Sequence, residues 1–227
     1  MFLAILPVTR SLAHRNFSMD PTLEQHILNA TMQIEMFTPR PGSQPSSGAR
    51  PYIAAQGLGT LVNWQAEIVI VTHNHWGDML EQAEFVRILD AQGDLELELS
   101  GVDFRGLIRY QDAGTMILNI PPYLDTAYQE NLGDMDFKQA VTAGETVVFV
   151  HRVADESCRL DLLTAEVVTL TEYKDLPVFK IRSLDNQSIH SGDSGGGMWF
   201  NGQLVGNMWG RFNEQTGEAG YAADFPW

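Results

Sequence analysis

Short runs of alternating apolar and polar residues fill most of this chain, broken at about 8–12-residue intervals by turn-forming residues. ATMQIEMF, GLGTLVNW, EIVIVTH, FVRILD, LELELS, GLIRY and TMILNI precede residue 121. ETVVFVHR, LLTAEVVTLTEY, PVFKIRS, GGMWF, QLVGNMWGRF and AGYAADF follow residue 143. A period of two places successive side chains on opposite faces, which is the geometry of a half-buried strand and not of a helix. FVRILD and LELELS are separated by AQGD, which predicts a turn. Helix is expected in one place: Asp20-Pro21 supplies a cap and a first-turn proline for TLEQHILN. Two groups of about six short strands predict an all-β chain built as two antiparallel barrels or sandwiches.

The boundaries follow from composition. Residues 1–20 form an N-terminal extension, 21–122 the first β unit, 123–143 a polar connector and 144–227 the second β unit. The stretch TPRPGSQPSSGARP inside the first unit reads as a loop. The first 19 residues contain two arginines and no acid, and FLAILPV lacks the preceding positive charge of a secretory signal. They read equally as a degenerate targeting segment or an unstructured extension. No compartment is assigned.

Charge narrows the partners. The net charge is −15, with 14 Lys and Arg against 29 Asp and Glu. No basic cluster is present to neutralise phosphates, so nucleic acid is not an expected partner. No run approaches 18 apolar residues, so no membrane span is expected. Cys158 is the single cysteine, so no intrachain disulfide forms and the fold rests on its core. Nothing around Cys158 except Arg159 would activate its thiol.

Two stretches carry chemistry. In THNHWGD, His73 and His75 follow the apolar strand EIVIV. Paired histidines at a strand end invite a zinc reading, similar to the T-H-x-H-x-D-H motif of metallo-β-lactamase-type hydrolases. Here Gly77 and Asp78 stand where that motif has Asp and His. The second stretch is HSGDSGGGMWF, residues 190–200. Four glycines in six positions around Ser194 and Asp193 imply a tight turn, close backbone approach, or both. A serine becomes a nucleophile when a base lies in hydrogen-bond reach and N–H donors face the developing oxyanion. A Gly-Asp-Ser-Gly turn supplies such donors.

GDSGGGMWFNGQLVGNMWG resembles the nucleophile region of the chymotrypsin/trypsin-like serine proteases, and the absent disulfides match a microbial-type member. GLGTLVNWQAEIVIVTHNHW resembles that family's Gly-x-Gly strand and its Val-Thr-Ala-Ala-His segment. The resemblance covers roughly residues 30–225 and implies two six-stranded antiparallel β-barrels with the active-site cleft between them. It implies a serine endopeptidase acting on peptide or protein substrates without a cofactor. Ser194 would be the nucleophile, His75 the base and Asp112 the third triad member, in the family's chain order. The N–H groups of Gly192 and Ser194 would form the oxyanion hole. Ser188 would lie at the base of the specificity pocket with Ile189 beside it, and Trp209 and Gly210 along its wall. A pocket without an acid predicts an apolar or aromatic preference, with His190 as a rim residue or a reader of acidic side chains.

Asp78 and Asp103 are rivals for the third position. The family's activation sequence Ile-Val-Gly-Gly is missing, so Asp193 is expected to find a partner other than a newly cut N-terminal amine. Two alternative functions stay open: a catalytically silent protease-like binding module, and zinc hydrolysis through His73 and His75.

Overall fold

The computed structural model describes residues 20–41, 51–121, 141–153, 159–173, 176–184, 189–210 and 221–224. The chain starts with helix α1 (Pro21–Asn29). The Asp20 carboxylate accepts the Thr22 N–H at 2.9 Å, and Ala30 closes the helix by donating to the His26 carbonyl. The cap and proline therefore act as the sequence predicts.

The first β unit is a seven-stranded antiparallel sheet. Its strands are β1 (Thr31–Pro39), β2 (Tyr52–Trp64), β3 (Glu67–His73), β4 (Phe85–Leu89), β5 (Leu95–Ser100), β6 (Ile108–Gln111) and β7 (Thr115–Asn119), in the order β5-β4-β1-β2-β3-β7-β6. Strand β1, read as a strand ahead of the six, takes its place between β4 and β2 and makes the seventh. Two short helices, α2 (Asp78–Gln82) and α3 (Gly101–Gly106), punctuate the sheet. The segment around Asp103, which reads as a loop, is helical because the Ser100 side chain caps the Asp103 N–H.

The second β unit is a closed six-stranded barrel. It contains β8 (Thr146–Arg152), β9 (Leu160–Tyr173), β10 (Leu176–Ser183), β11 (Gly197–Phe200), β12 (Gln203–Gly210) and β13 (Tyr221–Asp224), in the order β10-β13-β12-β11-β8-β9. Closure leaves this sheet no free edge. The proposed connector and the loop after β1 fall largely outside the described residues.

Burial explains how the units are held. Ile34, Met36, Leu61, Phe104 and Leu118 fill one face of the first sheet, and Phe149, Leu163, Ile181 and Met198 fill the barrel. A third cluster joins them: Leu58, Val71 and Ile117 from the first unit pack with Val148, Val150 and Trp199 from the second. Strands β3, β8 and β11 and the buried middle of β2 thus pack on two sides, toward their own unit and toward the other. The Thr115 hydroxyl adds a polar tie across the units, at 3.2 Å from the Asn207 side-chain oxygen.

Candidate active site

Ser194 lies in the turn that leads into β11, and His75 in the loop that leaves β3. The turn is pinned from several sides. Leu58 donates its N–H to the Ser194 carbonyl at 2.7 Å, Gly195 donates to Met208, and Met208 donates to Gly196. These bonds draw β2 and β12 onto the turn and leave no room for side chains. A Cβ on Gly195 would lie 2.0 Å from the Leu58 carbonyl oxygen, and one on Gly196 would lie 2.6 Å from that of Val150. Gly195 also has φ +88°. The glycines after Ser194 therefore serve close approach as well as turning.

His75 Nε2 stands 2.9 Å from Ser194 Oγ, across the boundary between the two β units. That is hydrogen-bond distance for a base and the hydroxyl it would deprotonate. The pair opens on a cavity of about 500 Å³, lined also by Ala54, Gln56, Ser191 and Gly192. Among the described residues, the N–H groups of Gly192 and Ser194 have no acceptor, whereas those of Asp193, Gly195 and Gly196 donate to carbonyls. Gly192 has φ +109°. Two uncommitted donors beside a serine hydroxyl are what an oxyanion site needs.

Asp193 is 1% exposed. Its carboxylate accepts the Arg152 N–H at 2.8 Å and the His190 N–H at 2.6 Å. Burial pushes its pKa up, opposed by these two bonds and by the nearby His151 and His190. The partners expected in place of an N-terminal amine are thus main-chain N–H groups, and they tie the serine turn to β8.

Asp112 is placed differently from His75 and Ser194. Its carboxylate accepts the N–H groups of Gly114 and Thr115 at 2.8 and 2.7 Å, and the Tyr110 hydroxyl at 3.1 Å. It caps its own turn, and none of these bonds runs to His75. Its link to the histidine loop is through the main chain. The Asn74 side-chain amide donates to the Asp112 carbonyl, and the Gln111 amide donates to Asn74 Oδ1 at 2.6 Å. Of the rivals, Asp103 bonds the Ser100 hydroxyl, and Asp78 opens α2.

His73 is buried, at 2% exposure. Its ring lies 4.0 Å from that of His75 and 4.1 Å from that of Trp76, and its Nδ1 accepts the His75 N–H at 3.2 Å. The histidines of the zinc reading are thus a ring stack with one nitrogen already engaged. Among the described residues, no three His, Cys, Asp or Glu side chains group to hold a metal. Burial and the neighbouring His75 hold the His73 pKa well below 6.5.

Trp209 is buried and meets the His75 ring edge-on, with centroids 5.7 Å apart. Ile189 packs against the barrel core, and Gly210 ends β12 opposite Tyr221. Ser188 lies outside the described residues, as does Cys158. The cavity wall formed by Ala54 and Gln56 is missing from the sequence-based expectation. Its one signal is the β-prone Tyr52-Ile53 at the start of an otherwise exposed half-strand.

No protein-family model and no curated protein sequence matches the chain. Solved structures do. The HtrA-type protease AlgW with a decapeptide superposes at a TM-score of 0.60, with 12% identity over 90% of this chain. AlgW with a tripeptide gives 0.62, again at 12% identity and 90% coverage. The fold is chymotrypsin-like. The chain spans 63% and 59% of those two structures, so the likeness covers roughly three fifths of their length. In this chymotrypsin-like fold the first unit contributes His75 and the second contributes Ser194.

Proposed function

We propose that the chain is a serine endopeptidase. Ser194 Oγ attacks the peptide carbonyl while its proton passes to His75 Nε2. The carbonyl oxygen becomes an oxyanion bonded by the Gly192 and Ser194 N–H groups. Collapse breaks the C–N bond, and His75 gives its proton to the leaving amine. Water, deprotonated by His75, then attacks the acyl carbon; the bond to Ser194 Oγ breaks, His75 returns the proton to that oxygen, and the acid product leaves. Asp112 is the third member in this reading. It supports the base through its turn and the Asn74 contact, since its carboxylate bonds lie within that turn.

The observation that carries the proposal is the 2.9 Å approach of His75 to Ser194 in a cleft between two β units. The AlgW structures were solved with peptides, which supports peptide as the substrate class. In this reading Ser188, Ile189, Trp209 and Gly210 surround the residue before the cleaved bond, and a pocket of these uncharged residues would take an apolar or aromatic side chain.

Incubation with a diverse peptide library, read by mass spectrometry, tests this. Cleavage by the wild type that is lost in Ser194→Ala and insensitive to chelation is expected. Cleavage that persists in Ser194→Ala would overturn it, and chelator-sensitive cleavage would favour the metal-dependent alternative.

A further inference from the structure

The mechanism above leaves one buried polar group beside the base without a task. His73 lies at the last position of β3, two residues before His75, and is almost completely shielded from water. Its Nδ1 accepts the backbone N–H of His75, so in the neutral ring the proton sits on Nε2. Among the described residues that Nε2 is buried without a hydrogen-bond partner, and it packs over Gly57, where a Cβ would come within 2.7 Å. The ring also packs on Trp76, with centroids 4.1 Å apart. A phenyl ring would fill the same space without burying an unpartnered N–H. It would give the His75 N–H no acceptor.

The His73 ring also faces the group that must stay aligned. Its centroid is 4.0 Å from that of His75, with 37° between the planes, and Trp209 meets His75 from another direction at 87°. His75 itself is exposed, so packing alone does not fix its rotamer. We infer that His73 is a positioning residue for the base: its buried ring stacks on the His75 imidazole and its Nδ1 anchors the His75 backbone, holding Nε2 at Ser194 Oγ. A neutral ring suits this place. It offers a π face to the imidazolium that forms when His75 takes the serine proton, where a charged ring would repel it. The depressed basicity of His73 keeps it neutral through the cycle.

This inference rests on the hydrolase reading of Ser194 and His75, and its test separates the two. His73→Phe keeps a ring and loses the acceptor. His73→Asn keeps an acceptor and loses the ring. Both are checked for folding by thermal unfolding, and the phenylalanine variant, which preserves volume, carries the test if the asparagine variant does not fold. The first readout is covalent labelling by a fluorophosphonate, separated into probe affinity and maximal rate. The maximal rate is expected to fall about ten- to a hundredfold with affinity unchanged, the signature of a misplaced base. Folded variants that label at the wild-type rate would overturn the inference.

The second readout is independent of reactivity. In wild-type protein carrying ¹³C-labelled histidine, the His75 ring protons should show an upfield ring-current shift that His73→Asn diminishes and His73→Phe retains. Unchanged His75 resonances in His73→Asn would overturn the inference. A wild type that fails to label sinks the hydrolase reading, and the resonance comparison then still decides whether His73 orients His75.

Discussion

Gly195→Ala isolates the physical reason for the glycine run after Ser194. Two costs are expected. The residue has φ +88°, a conformation that costs an L-residue about 1–2 kcal/mol. Its Cβ would also sit 2.0 Å from the Leu58 carbonyl oxygen and 2.5 Å from Thr72 Oγ1. That oxygen cannot retreat freely, because it accepts the Thr72 hydroxyl at 2.6 Å, and the Leu58 N–H holds the Ser194 carbonyl. Overpacking of such a site costs about a further 1–3 kcal/mol. Gly144→Ala is the internal control, since its φ is +90° but nothing lies within 4 Å of its Cβ. Only the conformational cost applies there, and the effect of alanine on the unfolded chain is common to both variants. Urea denaturation followed by tryptophan fluorescence should therefore show Gly195→Ala less stable than Gly144→Ala by about 1–3 kcal/mol. Equal losses in the two variants would refute the close-approach account of the turn.

Further outcomes follow from the same geometry. Asp193→Ala strips the acceptor from the Arg152 and His190 N–H groups, the first of them buried. It should cost about 1–3 kcal/mol for the buried donor and slow fluorophosphonate labelling beyond what the stability loss explains; labelling at the wild-type rate would contradict this. Asp112→Asn can keep the Gly114 and Thr115 bonds, so peptide hydrolysis should fall by much less than the roughly 10⁴-fold typical of a carboxylate bonded to the base itself. A full loss of that size would place the carboxylate on His75. The depressed His73 pKa predicts acid sensitivity. Below pH 6.5 the unfolded chain binds a proton here that the folded chain refuses, so stability falls as pH falls. Thermal unfolding between pH 7 and 5.5 should show His73→Phe losing stability less steeply than wild type, by up to about 1.4 kcal/mol per pH unit. Parallel slopes would refute it.

What was legible in the sequence is what neighbouring residues encode. EIVIVTH announces β3 because its apolar side chains pack on both faces, and HSGDSGG announces a crowded turn because only glycine fits there. Asp20-Pro21 announces α1 because a cap acts on residues next to it. What was not legible depends on partners distant in sequence or on competing local bonds. The first half of β2, Tyr52 to Gln56, is exposed or only half-buried, so no clean alternation marks it as a strand. Its pairing with β1 does. Helix α3 is too short to show a helical period. Asp112 stands just ahead of the apolar strand β7, but Gly114 and Thr115 offer their N–H groups two and three residues away and take up its carboxylate. His73 reads as half of a metal pair because spacing alone cannot tell a stacked ring from a ligand. Only the register of β3 beside β2 and β7 buries it under Gly57 and Trp76.

The most direct test of the central claim is fluorophosphonate labelling of the full chain, with Ser194→Ala, His75→Ala and chelator-treated samples alongside. Labelling of wild type that is mapped to Ser194, abolished in both variants and unchanged by chelator is the predicted result. A folded wild type that stays unlabelled, or that labels at another residue, would contradict the assignment of Ser194 and His75 as nucleophile and base.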